Sequence, residues 1–132
     1  MKQPPESPLT VTMTPWEKTF QEDGEAVLTA SAALPCFSGG PKRTRTRLNR
    51  FYRHMDACFR RRVARLARQA GAERSAARSR SHWFAPWQCA LTAEVCREAD
   101  TLRVTWQVQD ARGGAFSGAE RWHLPEGTLE TS

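Results

Sequence analysis

The feature that most constrains the fold is a long run of apolar residues spaced three and four apart. Between residues 44 and 70 these side chains fall on one stripe of a helix. They are Leu48, Phe51, Tyr52, Met55, Cys58, Phe59, Val63, Leu66 and Ala70. A helix of about 27 residues is roughly 40 Å long. We expect Thr44 or Thr46 to cap its start and Gly71 to end it.

Segments on both sides of this helix alternate between apolar and polar residues, as strands with one buried face do. Residues 9–20 and 25–34 are a predicted hairpin closed by Glu22-Asp23-Gly24, with a bend or bulge at Pro15. After the helix, an antiparallel meander is predicted from residues 89–95, 102–108 and 117–124, with turns at 99–100 and 112–114.

The predicted fold is therefore α+β, with one long amphipathic helix packed on a mostly antiparallel sheet in the order β-β-α-β-β-β. At 132 residues the chain is long enough for one core. We expect a flexible tail over residues 1–8, a single domain over 9–127 and a second tail over 128–132. Residues 71–81, rich in Ala, Arg and Ser, are expected to be a mobile loop.

Charge is unevenly distributed along the chain. Overall, 20 basic residues stand against 14 acidic ones, which gives a net charge of +6. Residues 42–80 hold fourteen of the basic residues and only two acids, a local charge of +12, so the rest of the chain is acidic. This basic middle either attracts an anionic partner or is neutralised by the rest of the fold.

Six arginines and one histidine share the helix flank opposite the apolar stripe: Arg43, Arg47, Arg50, His54, Arg61, Arg65 and Arg68. Because guanidinium groups bind oxyanions bidentately, the arginines are a candidate anion-binding surface for phosphates, nucleic acid or an anionic glycan. The alternative is a solvated face, since seventeen arginines against three lysines is a preference of the whole chain. No helix-turn-helix, RNP-type or zinc-finger pattern predicts base reading.

A second candidate site combines aromatic residues with one more arginine. Trp83, Phe84 and Trp87 lie together just before a predicted strand. They either offer flat faces to sugars, bases or a partner's side chains, or plug the open end of the sheet. Arg62 falls within the apolar arc, so we expect it to reach past the sheet to solvent, pair with an acid, or contact a ligand. These four residues form the candidate ligand-binding site.

The chain has four cysteines, Cys36, Cys58, Cys89 and Cys96. They are sparse for a disulfide scaffold, and we expect free thiols. His54, Cys58 and Cys89 are candidate metal ligands, but without a C-x-x-C pair we expect neither metal nor cofactor. Cys36 precedes the helix, where a thiol can be activated. Known nucleophile motifs are missing there, so a flexible corner is the simpler interpretation and no catalytic residue is assigned.

The N-terminus is polar and proline-rich, without the apolar core of a secretion signal. No apolar run approaches the roughly 20 residues that a bilayer requires. We expect a cytoplasmic protein without a membrane span, or an extracytoplasmic one if a leader has been trimmed. A monomer and a homodimer paired through a sheet edge are both compatible with the pattern.

Several short motifs resemble the extracytoplasmic domain of lysozyme-sensing anti-sigma factors, a family also found beside peptidoglycan deacetylase domains and as stand-alone proteins. They are Leu34-Pro35, Gly39-Gly40-Pro41, Leu48-Asn49-Arg50-Phe51-Tyr52, Ser81 to Phe84-Ala85-Pro86, and Trp122-His123-Leu124-Pro125-Glu126-Gly127. The resemblance covers about residues 25–127. In contrast to the family, we expect no leader and no membrane span here, and the sequence stops soon after the last motif. These motifs are fold-determining, so no residue is carried over as a lysozyme contact.

The sequence and the resemblance together predict a non-catalytic binding or regulatory domain that recognises a protein or a cell-wall glycan. The alternative is a nucleic-acid or phosphate-binding surface on the arginine-rich helix. An enzyme ranks third, because paired carboxylates and nucleophile motifs are not evident in the sequence.

Overall fold

A computed structural model describes residues 8–111, 114–124 and 126–129 of the chain. The elements are β1 (Thr10–Glu22), β2 (Glu25–Ser38), α1 (Lys42–Ser79), β3 (Trp87–Glu98), β4 (Thr101–Gln109), β5 (Ala115–His123) and β6 (Thr128–Leu129). The predicted α+β class and the order β-β-α-β-β-β are confirmed. The short β6 pairs with β5 and extends the sheet two residues past the predicted domain boundary.

The six strands lie in the sheet in sequence order. Every neighbouring pair is antiparallel except β2 and β3, which run parallel from Leu28 opposite Trp87 to Ala32 opposite Leu91. The reason is the helix, because a parallel pair needs a long crossover and α1 supplies it between these two strands. Strand β1 is consequently an edge of the sheet.

The first hairpin turns at Asp23 and Gly24, whose φ angles of 52° and 78° are the left-handed pair that two-residue hairpin turns favour. A bulge at Pro15, one of the two predicted alternatives, is wrong. Pro15 lies in register opposite Ala33, and the irregularity falls between Phe20 and Gln21. Because β1 is an edge strand, it tolerates a proline without an N–H. The predicted turn at residues 112–114 falls mostly outside the described residues.

The core forms where one face of α1 packs, mainly against β2, on one side of the sheet. Its large buried side chains include Leu28, Leu48, Tyr52, Val63, Leu91 and Val104, each 2% exposed or less. Strand residues that adjoin buried ones in sequence, such as Thr29 after Leu28 and Gln107 before Val108, point to the other side of the sheet and are exposed. The sheet therefore has one apolar covered face and one polar face, as the alternating pattern predicted.

The start of the helix differs from the prediction. Pro41 is the N-cap, no side chain caps the helix, and Thr44 lies inside the first turn, 1% exposed. The link from β2 is made instead by Asn49, whose Oδ1 accepts from the Phe37 N–H at 2.8 Å and whose Nδ2 donates to the Phe37 carbonyl at 2.9 Å. A helix side chain thus satisfies both backbone groups of a strand residue.

The end of the helix is also a correction, because α1 continues through the segment expected to be a mobile loop. Gly71 does not end the helix; it is buried within it, and a Cβ there would collide with Glu22 Oε2. Arg74 anchors the last turns. Its side chain is 6% exposed and Nη2 donates to Glu25 Oε2 at 2.8 Å, with Asp23 Oδ2 3.7 Å from Nη1. This anchor is ionic, so a search for apolar periodicity misses it.

The ion pair predicts a pH dependence. The Arg74 guanidinium holds the pKa of Glu25 below its usual value, first by hydrogen bonding and then by charge. A carboxyl group with a lowered folded pKa stabilises the fold above its unfolded pKa of about 4.3, and this stabilisation is lost as the pH falls through the folded pKa. Glu25→Gln should therefore lower the melting temperature at neutral pH, and the difference from wild type should disappear in acid.

The control for this measurement is Glu17→Gln, which removes an exposed carboxylate on β1 that forms no ion pair with a described residue. Its melting temperature should track wild type at every pH. A Glu25→Gln protein as stable as wild type at neutral pH would show that Arg74 does not anchor the helix end.

Candidate functional site

The candidate anion-binding arginines form a line along the outer side of α1, which we call the arginine crest: Arg43, Arg47, Arg50, Arg61, Arg65 and Arg68. Five of them are exposed, and Arg47 is half-buried. At 100° per residue they lie opposite the buried stripe that contains Leu48 and Val63. The crest is about 38 Å long at 1.5 Å per residue.

The crest is strongly electropositive because no acidic residue lies along it. Within the part of the chain that the structure describes, none of its six guanidinium groups forms an ion pair with a carboxylate. Asp56, one of the two acids on the helix, pairs instead with Arg60 at 2.9 Å on the helix flank. Arg47 donates to the Glu126 carbonyl at 3.2 Å, and Arg61 donates to Cys58 Sγ at 3.3 Å. The other crest side chains face solvent.

The three aromatic residues of the second candidate site separate in the structure. Trp83 is 88% exposed, whereas Phe84 and Trp87 are half-buried and pack against the core. Trp83 and Phe84 line a cavity of about 440 Å³ together with Arg74 and Arg78. Trp87 lines a different cavity. Phe84 and Trp87 therefore close the end of the sheet, which was one of the two alternatives for this cluster. The ring of Trp83 remains open to solvent.

Arg62 lines neither the Trp83 cavity nor the Trp87 cavity. Its Nη2 donates to Asp110 Oδ2 at 2.9 Å, and its guanidinium carbon lies 5.5 Å from the centre of the Phe116 ring. Pairing with an acid was one of the alternatives drawn from the sequence, and the β4 end supplies that acid. Because Asp110 lines the Trp87 cavity, Arg62 is linked to Trp87 through Asp110 rather than to Trp83. The four residues do not converge on one cavity.

A partly buried polar network was missed by sequence reasoning. The Trp122 indole donates to Tyr52 Oη at 3.0 Å, Tyr52 Oη donates to Glu120 Oε1 at 3.0 Å, and the Trp106 indole donates to Glu120 Oε2 at 2.7 Å. Burial raises the pKa of Tyr52 far above its usual value, so the phenol stays protonated. The alternation of β5 could have placed Glu120 on the same face as Trp122. This network ties the helix to β4 and β5.

The cysteines are free thiols, as expected. Cys89 is buried, which raises the pKa of its thiol, while Cys36, Cys58 and Cys96 are exposed. Cys36 lies within β2 rather than in a flexible corner, because that strand continues to Ser38. Among the described residues, no hydrogen bond joins Cys36 to a histidine or a carboxylate. The partners that would activate its thiol are therefore not in place there.

Of the three candidate metal ligands, only two lie close together. His54 Nε2 lies 3.6 Å from Cys58 Sγ on the exposed side of α1, whereas Cys89 lies in β3 with 3% of its surface exposed. Within residues 8–111, 114–124 and 126–129, no group of three or more His, Cys, Asp or Glu side chains is arranged to hold a metal ion.

Comparison with protein-family models gave no match, and a comparison with curated proteins gave none. Over the described residues, no helix combines the length and apolar character needed to cross a membrane. The crest and the Trp83 cavity are therefore interpreted from their own chemistry.

The partly buried network predicts a stability effect. Tyr52→Phe removes the hydroxyl that accepts from Trp122 and donates to Glu120, and leaves the Trp122 indole N–H buried without its partner. The free energy of unfolding should fall by about 1–3 kcal/mol, measured by urea denaturation. Phe20→Leu, which alters a half-buried ring on β1 outside the network, is the control and should lower the free energy of unfolding less. A Tyr52→Phe protein as stable as wild type would contradict the network's role.

Proposed function

We propose that this domain is a non-catalytic binding module that holds an extended anionic polymer, with nucleic acid as the favoured class, along the arginine crest. The observation that carries the proposal is the crest itself: six guanidinium groups on the solvent side of one helix, none paired with a described carboxylate. Such a surface is costly in self-repulsion when it lacks counter-charge, and a polyanion supplies that charge along its length.

The spacing of the crest favours a polymer over a small anion. Arg43, Arg47 and Arg50 are spaced by four and three residues, and Arg61, Arg65 and Arg68 repeat that spacing. Within each triplet, successive groups are therefore about 4.5–6 Å apart along the helix axis, and about 16 Å separates Arg50 from Arg61. A small anion would contact one or two of them, whereas a phosphate backbone with regularly repeated charges would contact many. Each contact adds a bidentate, charge-assisted hydrogen bond.

Binding at the crest should depend little on base sequence. Phosphate contacts position a nucleic acid without reading it, and base reading requires side chains that reach base edges. The crest lies on the outer side of a helix whose opposite face is packed on the sheet, and its charges follow one line, as the charges of a phosphate backbone do. The proposal includes a cytoplasmic location, as the sequence led us to expect, because nucleic acid is available there.

Neutralising the crest tests this proposal. The triple variant Arg50→Gln, Arg65→Gln, Arg68→Gln removes three exposed guanidinium groups while leaving the buried stripe intact. Binding of a fluorescent DNA or RNA oligonucleotide of about 30 nucleotides should show a steep salt dependence in wild type. The variant should reduce the slope of log K against log salt by about 2–3, measured by fluorescence anisotropy.

A charge-matched control separates position from net charge. Arg80→Gln, Arg97→Gln, Arg103→Gln removes the same charge from exposed arginines that lie off the crest. This control should keep most of the wild-type slope. Equal losses in both triple variants, or no binding by wild type at about 50 mM salt, would contradict the proposal.

The exposed ring of Trp83 favours a second candidate, a protein partner or a cell-wall glycan. A ring that is 88% exposed, beside Phe84 and the guanidinium of Arg78, offers a stacking face and a hydrogen-bond donor in one cavity. The resemblance to the sensor domains of lysozyme-sensing anti-sigma factors also favours a partner of this kind. This candidate uses a different part of the surface from the crest.

The two candidates respond to different substitutions. Trp83→Ala should weaken binding of soluble cell-wall glycan fragments about 5- to 150-fold, since stacking on an aromatic ring contributes about 1–3 kcal/mol, measured by titration calorimetry. Oligonucleotide binding should not change. Phe116→Ala, which removes another exposed ring on β5, is the control. Glycan fragments that fail to bind the wild-type protein would remove the glycan form of this candidate.

A further inference from the structure

One thiol of the chain lies in a setting different from the other three. Cys58 is exposed on α1, and its Sγ lies 3.6 Å from His54 Nε2 and 3.3 Å from Arg61 Nη2, which donates to it. These residues are four positions before and three positions after Cys58, so all three share one side of the helix. The regular helix therefore holds a thiol, a base and a cation in contact at the border of the crest.

Each neighbour has a defined chemical effect on the thiol. The thiolate is the nucleophilic form of cysteine, and an adjacent imidazole nitrogen can accept the thiol proton. The Arg61 guanidinium cannot lose its own proton and donates a charge-assisted hydrogen bond to sulfur. Cys58 Sγ therefore has a guanidinium hydrogen-bond donor on one side and an imidazole nitrogen, a group able to take up a proton, on the other.

The remaining cysteines are internal comparisons. Cys36 and Cys96 are exposed, but no hydrogen bond joins either sulfur to a basic side chain among the described residues. Cys89 is buried, and burial raises the pKa of its thiol, which makes it unreactive. If reactivity followed exposure alone, the three exposed thiols would react alike.

The positive charge of the crest favours anionic reagents at Cys58. Arg61 and Arg65 belong to the crest and lie one and two turns beyond Cys58, and His54 lies one turn before it. Anionic molecules are concentrated at such a surface, and cationic ones are repelled. A small disulfide with carboxylate groups therefore meets this thiol more often than a cationic disulfide of similar size.

We propose that Cys58 is a site of thiol–disulfide exchange with small anionic disulfides, which leaves a mixed disulfide on α1. The Cys58 thiol proton passes to His54 Nε2, and Sγ attacks one sulfur of the disulfide R–S–S–R. The S–S bond breaks as the new Sγ–S bond forms, and R–S⁻ leaves and takes up a proton. Cys58 is oxidised and one R–S group is reduced, so no further oxidant is needed. This modification site is independent of the polymer-binding proposal.

The test measures the rate of mixed-disulfide formation at each cysteine of the full chain, by acid quenching and peptide mass spectrometry. The probes are oxidised glutathione, which is anionic, and cystamine, which is cationic. With oxidised glutathione, Cys58 should react at least about 10-fold faster than Cys36 and Cys96. With cystamine this advantage should shrink. Cys58 reacting no faster than Cys36 and Cys96 would overturn the proposal.

Substitutions then separate the two assigned roles. His54→Gln should slow Cys58 with both probes, because it removes the proton acceptor. Arg61→Gln should slow the reaction with oxidised glutathione more than that with cystamine, because it also removes a charge that attracts anions. Arg53→Gln removes a nearby exposed guanidinium that makes no contact with Sγ, and its rates should match wild type. A fast Cys58 unaffected by His54→Gln and Arg61→Gln would also overturn the proposal.

Discussion

The burial of one helix face against β2 is the constraint on which the rest of this structure depends. Leu48 and Val63 on α1 are fully buried, and Leu28 on β2 is fully buried beneath the helix layer. Because the period of a helix is fixed, burying that stripe places the residues half a turn away in solvent along the whole length of α1. The arginine crest and the Cys58 cluster both owe their exposure to this packing.

Polar contacts then fix where the helix lies on the sheet. Asn49 joins its first turns to the end of β2, and the phenol of Tyr52, one turn further on, joins it to β5 through Glu120. The Arg74–Glu25 pair joins its last turns to the first hairpin. Apolar packing alone permits sliding and rotation of a helix on a sheet, whereas buried hydrogen bonds have directional partners. The crest is therefore held in one orientation by contacts on the opposite side of the same helix.

The sequence was informative where structure follows periodicity and uninformative where it depends on single contacts between distant residues. The apolar stripe and the strand alternation predicted the fold class, the element order and the exposure of the crest. They missed the continuation of α1 past Gly71, because its anchor is the ion pair of Arg74 rather than an apolar residue. The separation of Trp83 from Trp87 depends on the path of the connection into β3, and the Tyr52–Glu120 bond joins residues 68 positions apart. No local pattern contains that information.

The proposed binding surface for an anionic polymer is the outer side of α1 rather than the polar face of the sheet. The most direct measurement is an NMR titration of the arginine side-chain Nε–H signals with an oligonucleotide, which reports each guanidinium group separately. This account predicts shifts at Arg50, Arg65 and Arg68, with little change at Arg97 and Arg103 on the strands. Shifts concentrated on the strand arginines, or none on the helix at saturating oligonucleotide, would contradict it.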